Sequence, residues 1–278
     1  MKKVAVVLIM LMLFASGASA EVMGFLSMTG SEAQEGTSSP EKFRGSTDFM
    51  SSLFAALVAA DFDDKDIRMN YYDSLSLMQL ALHKGEINSI AMPEFVGEYL
   101  MRNNSEYKLR GFFMGRLPIA LACGFLKEKK ELCDKFSKVI EDMENEGKIG
   151  ILARDYITGP ASLNPPAVKI DTFEDANTVT VALTGDLPPL DYIAADGTPS
   201  GFNTAILAEI GRRLHVNIKP VVVETGARAT ALKSGRADVV FWFQVFTGYD
   251  AVQQDIPEGV ITSTPYYGWN KFLLVGRK

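Results

Sequence analysis

Two runs of short apolar strands alternating with amphipathic helices, parted by a proline-bearing stretch, constrain this chain more than any other feature. Alternating period-two and period-3.6 hydrophobicity signals βαβ units, and such units fold into mainly parallel sheets with helices on their faces. The first run places strands at 22–27, 67–72, 87–92 and 117–125, with an extended piece at 107–114. Its helices fall at 47–60, 74–83, 94–103 and 131–146, with a shorter one at 149–156. Residues 158–177 hold three prolines and no clear period, so they read as a partly extended linker. The pattern then restarts with strands at 178–183, 216–223, 237–243 and 271–275 and helices at 203–214 and 227–234.

Residues 1–20 carry Lys2 and Lys3, an apolar run from 4 to 14, and then Ala18-Ser19-Ala20. This is the layout of a cleavable secretory signal, and the run is shorter than the roughly 20 apolar residues a membrane span needs. No cysteine follows the cut, so an exported periplasmic protein without a lipid anchor is expected. The chain has a formal charge of −6, and processing would remove two more lysines, which makes nucleic acid a poor partner. Two cysteines, Cys123 and Cys133, sit ten positions apart in the first run, and either a bridge or two buried thiols fits the sequence. The two histidines, His83 and His215, lie near no cysteine and far from each other, so no metal site is expected. The acidic cluster at 61–66 lacks the sixth-position glycine and the late glutamate of a calcium loop and reads as a solvated turn.

In the second run, ValThrValAlaLeuThrGlyAspLeuProProLeuAspTyr leads to AspGlyThrProSerGlyPheAsn and a helix (179–214). With AlaLeuLysSerGlyArgAlaAspValVal (231–240) and SerThrProTyrTyr (263–267), this resembles the first lobe of type II periplasmic solute-binding proteins, the polar amino-acid receptors of ABC importers. In the first run, TyrAspSerLeuSerLeuMetGlnLeuAlaLeuHisLysGlyGlu (72–86) and ProGluPheValGlyGluTyrLeu (93–100) resemble the second lobe of the same family more loosely. The resemblance implies two α/β lobes with mainly parallel sheets joined by a hinge, in circularly permuted order. Residues 21–157 would be the family's second lobe and 178–278 its first lobe plus a crossover strand. Two unrelated fragments, or half of a tandem receptor, are the alternatives, and permutation is favoured because the halves add up to one set of elements with no surplus.

Ligands of open α/β sheets sit beyond the carboxyl ends of strands, and facing lobes close on them by hinge bending. The candidate binding residues on the first-lobe edge are Asp186, Leu190, Arg228, Trp242, Phe243, Gln244 and, in the following turn, Asp250. The second-lobe edge offers Thr29, Gly30, Ser31, Tyr72 and Glu94. Each has a plainer reading: core aromatics for Trp242 and Phe243, a helix-start carboxylate for Glu94, a solvated helix residue for Arg228.

Departures from the family pattern bear on the ligand. The turn that holds the family's carboxylate-binding arginine reads Thr247-Gly248-Tyr249-Asp250, and the aspartate that holds the ligand ammonium aligns with Pro93, leaving Glu94 beside it. An α-amino acid with both charges buried and unmatched is disfavoured by several kcal/mol, unless Arg228 replaces the fork. Aromatic walls and carboxylates favour a flatter, more apolar and cationic guest. The expected activity is capture of a small molecule by a monomeric receptor, with an ABC permease implied as membrane partner and no cofactor required. A ligand sensor for a membrane receptor, or a periplasmic enzyme using Glu94, Asp186 or Asp250 as acid or base, are the alternatives; no nucleophile elbow, phosphate loop or metal spacing supports the latter.

Overall fold

A computed structural model of the protein describes residues 21–26, 36–37, 67–224, 227–247 and 256–278. In chain order the elements are β1 (Glu21–Leu26), β2 (Gly36–Thr37), β3 (Ile67–Tyr72), α1 (Leu75–Lys84), β4 (Ser89–Pro93), α2 (Glu94–Asn103) and β5 (Tyr107–Leu126). There follow α3 (Lys130–Asn145), α4 (Lys148–Ala153), β6 (Thr178–Leu183), β7 (Asp186–Leu187), β8 (Asp191–Ile193), β9 (Pro199–Ser200) and α5 (Phe202–Leu214). The chain finishes with β10 (Asn217–Val222), α6 (Arg228–Lys233), β11 (Val239–Phe246), β12 (Val260–Thr262) and β13 (Tyr267–Arg277). The fold is mixed α/β with mainly parallel pairing, as the alternating patterns predict.

The described residues form two compact units, the first drawn from those within 1–119, 246–253 and 269–278, the second from those within 120–245 and 254–268. The chain passes from one unit to the other inside β5, β11 and β13. The signal segment, the 47–60 helix and the 61–66 turn lie outside the described residues.

In the first unit the strand order is β13-β4-β1-β3-β2, with β1 parallel to β3 and β4 and β13 antiparallel to β4. Helix α1 starts where the Ser74 side chain accepts a hydrogen bond from the Leu77 N–H at 3.2 Å, and it ends at Gly85 in the left-handed region. Leu75, Met78, Ala81 and Leu82 form its buried stripe. Gly24 on β1 permits that packing, because a Cβ there would lie 2.6 Å from Ile87 and 2.8 Å from Met78.

In the second unit β6 is central, parallel to β10 and β11, in the order β10-β6-β11-β5, and β12 pairs antiparallel with the end of β5. The core is built on Val181, Ala182, Leu183, Val239, Val240 and Phe241, all fully or almost fully buried. Helix α5 is buried on most of its first eight residues. Gly201 starts it at φ 101°, where a Cβ would stand 2.5 Å from the Leu190 carbonyl oxygen, so only glycine fits. An ion-pair chain fastens this helix: Glu209 accepts from Arg213 at 2.7 Å, and Arg213 reaches Glu146 at 2.5 Å.

Several sequence expectations change in detail. The extended piece at 107–114 and the strand at 117–125 are one continuous strand, β5, and the last strand is longer than 271–275. The short strands β7, β8, β9 and β12 carry no periodic signal because two or three residues cannot display one. Cys123 and Cys133 are both buried free thiols, and burial pushes the Cys123 thiol far above its ordinary range.

Candidate functional site

The second unit concentrates its buried polar groups just past the end of β6. Asp191 on β8, wholly buried, accepts from the Thr184 hydroxyl, from the Gly185 N–H at 2.8 Å and from the Asn203 amide at 2.9 Å. The Asn203 carbonyl oxygen in turn accepts from the Tyr266 hydroxyl at 3.0 Å, and the Tyr266 ring stacks on Phe241 with centroids 5.2 Å apart. The network is satisfied link by link, as a buried polar cluster must be.

Arg228, the first residue of α6, is also wholly buried. Its guanidinium carbon lies 4.2 Å from the Trp242 ring centroid and 5.7 Å from that of Phe243, and it donates to the Trp242 carbonyl oxygen. Burial pulls its pKa down to about 10 against the opposing pull of Asp191. Burial likewise raises the Asp191 carboxyl above its usual value, while its three donors and Arg228 oppose the shift. The Phe243 ring covers Gly124 on β5, where any Cβ would collide with it. The Trp242 indole N–H is buried with no hydrogen-bond partner among the described residues.

In the first unit Glu94 opens α2 and is paired with Lys271 of β13 at 3.1 Å; the Lys271 ammonium lies 5.7 Å from the Phe112 ring. Phe95 meets the edge of Trp269 at 5.5 Å, and the Trp269 indole N–H is also buried without a partner among the described residues. Tyr72 ends β3, half-buried, and burial pushes its phenol above the ordinary range.

Of the sequence-named residues, Leu190, Arg228, Trp242 and Phe243 are buried in the second unit, with Asp186 and Gln244 half-buried there. Tyr72 and Glu94 are in the first unit. Thr29, Gly30, Ser31 and Asp250 lie outside the described residues. Arg228 is not the solvated helix residue of the plainer reading, since it is 0 % exposed. Thr184, Asp191, Asn203, Tyr266 and Lys271 were not singled out by sequence reasoning. The only signal for Asp191 is a carboxylate directly after the Pro188-Pro189-Leu190 turn, between apolar neighbours.

Among the described residues no cluster of three or more His, Cys, Asp or Glu side chains is placed to hold a metal ion, and no helix is long and apolar enough to cross a membrane.

Residues 179–247, about a quarter of the chain, match the family described as bacterial extracellular solute-binding proteins, family 3. No curated protein matches the chain. Among solved structures, it is similar to an ABC transporter/periplasmic binding protein from Brucella ovis with glutathione bound, at 12 % identity and TM-score 0.47, covering 94 % of this chain and 63 % of that one. It is similar to the ligand-binding component of an ABC-type import system from Staphylococcus aureus with zinc bound, at 10 % identity and TM-score 0.39, covering 93 % and 66 %. It is also similar to CbnR, a LysR family transcriptional regulator, at 11 % identity and TM-score 0.40, covering 93 % and 63 %. The chain thus spans just under two thirds of the length of each of the three.

Proposed function

We propose that the chain is an extracytoplasmic solute-binding protein that captures a small molecule between two lobes by hinge closure and delivers it to an ABC-type importer. The observation that carries this reading is the family match over 179–247, which spans the strand–turn–helix–strand run holding Asp186, Leu190, Arg228, Trp242 and Phe243. The buried polar cluster beside that run supports it, because a fixed wall of this kind needs a satisfied scaffold behind it. In this reading residues 1–20 are a signal peptide, 21–157 the equivalent of the family's second lobe, 158–177 a linker and 178–278 the equivalent of its first, in permuted order. Thr29, Gly30, Ser31, Tyr72 and Glu94 belong to one edge of the site, and Gln244 and Asp250 complete the other.

The guest is not an ordinary α-amino acid held in the ordinary way. Asp250 stands where the family's arginine fork would be, and Arg228, fully buried on Trp242, is not presented as a substitute. Glu94 already has a cation in Lys271.

A thermal-shift panel of amino acids, polyamines, aromatic acids, sulfonates and small cations tests the reading. A true ligand at 100 times its dissociation constant adds about 2.7 kcal/mol to stability, and Trp242→Phe and Glu94→Gln should weaken that response. A panel with no stabilising compound contradicts a receptor role; a hit that both variants keep at full strength puts the pocket elsewhere.

A further inference from the structure

Resting on the solute-binding reading, we propose that the indole N–H of Trp242 is the specificity-determining donor of the site and reads an acceptor oxygen on the solute, so that the solute is an oxyanion or carbonyl compound and not a cation. Three observations in the second unit converge on this. The first is the orphan itself: Trp242 is 2 % exposed and its Nε1 has no partner among the described residues. A buried donor left unmade costs about 1–3 kcal/mol, and native proteins fill such positions from protein, water or ligand. An indole N–H can only donate, so whatever completes it must bring a lone pair.

The second observation is its surroundings. Thr184, Asp191, Asn203, Tyr266 and Arg228 all have hydrogen-bond partners within the chain. The unmet group therefore stands beside a completed network, on the strand whose end the sequence assigns to the solute. A donor closed off from water makes a stronger bond when an acceptor arrives, because no solvent competes, and its sealing in the free chain means that the acceptor enters only with local opening.

The third is the arginine. The Arg228 guanidinium lies 4.2 Å from the Trp242 centroid and approaches Phe243 at 5.7 Å, so the aromatic wall already carries a cation of its own. A cationic guest stacking on these rings meets like charge. The same positive charge polarises the indole towards an electron-rich oxygen. The cationic guest expected from aromatic walls and carboxylates in the sequence is thereby replaced by an acceptor-bearing one.

The chain contains two tryptophans, so the indole region of a ¹⁵N–¹H spectrum of the full chain holds two signals, assigned with Trp242→Phe. Trp269, which belongs to the first unit, serves as the internal reference. Succinate, taurine, putrescine and tetramethylammonium are the probes, with calorimetry run alongside. The expected result is that succinate or taurine binds and moves the Trp242 signal downfield saturably while the two cations do not, and that Trp242→Phe weakens that binding about tenfold, the size of one lost hydrogen bond, with an unchanged circular-dichroism spectrum. An oxyanion that binds by calorimetry without moving the signal overturns the inference and leaves the receptor reading intact, as does a cation that binds and moves it. Absence of heat from all four probes contradicts the inference, while the wider thermal-shift panel separately decides the receptor reading. Should Trp242→Phe fail to fold, the signal in the native chain decides alone.

Discussion

Asp191 is the most constrained charge in the second unit, with three donors on its oxygens and no solvent exposure. Its folded pKa is raised above the ordinary value of 3.8, with burial as the leading cause. Below that value both folded and unfolded chains hold the proton and the site costs nothing. As pH rises past roughly 3.8 the unfolded chain ionises first, so the folded state loses stability progressively until its own carboxyl has ionised. Relative to Asp191→Asn, the native chain should therefore lose stability across this acid window, by about 1.4 kcal/mol for each tenfold difference in proton affinity. Urea unfolding of both proteins from acid to neutral pH measures it, and a stability difference that stays flat or changes the other way contradicts the assignment. Arg228, of opposite charge, carries a penalty of the same kind, since burial disfavours its charged form too, relieved in part by Asp191 and by the Trp242 face.

At the scale of elements, β11 and β5 show how a packing contact shapes the candidate site. Phe243 of β11 lies over Gly124 of β5, and no side chain at 124 leaves room for the ring. Gly124→Ala should cost about 1–3 kcal/mol by overpacking, read as a lower urea midpoint, and Phe243→Leu in the same background should recover part of it. An unchanged midpoint in Gly124→Ala contradicts the contact. The long elements were legible from sequence because their apolar positions recur: α1, α3 and α5 and strands β3, β6 and β11 fall within a few residues of their expected places. The short strands were not, since two or three residues display no period, and neither were the Asn203–Tyr266 link and the Glu94–Lys271 pair, which join residues distant in the chain. Lys271 in particular carries no local signal, as its role depends on the antiparallel register of β13 on β4. Trp242 and Phe243 were named because they fall on the strand edge that the resemblance sets at the site, yet their burial against Arg228 could not be read from spacing.

For the whole molecule, two units linked inside β5, β11 and β13 suit a receptor whose parts move about a hinge, because strands that pass between units are natural pivots. Capture by closure has a decisive readout in solution scattering of the full chain with and without the strongest binder of the thermal-shift panel. A smaller radius of gyration on saturation, with one guest bound per chain, is the expected result; a bound guest with the radius unchanged contradicts closure.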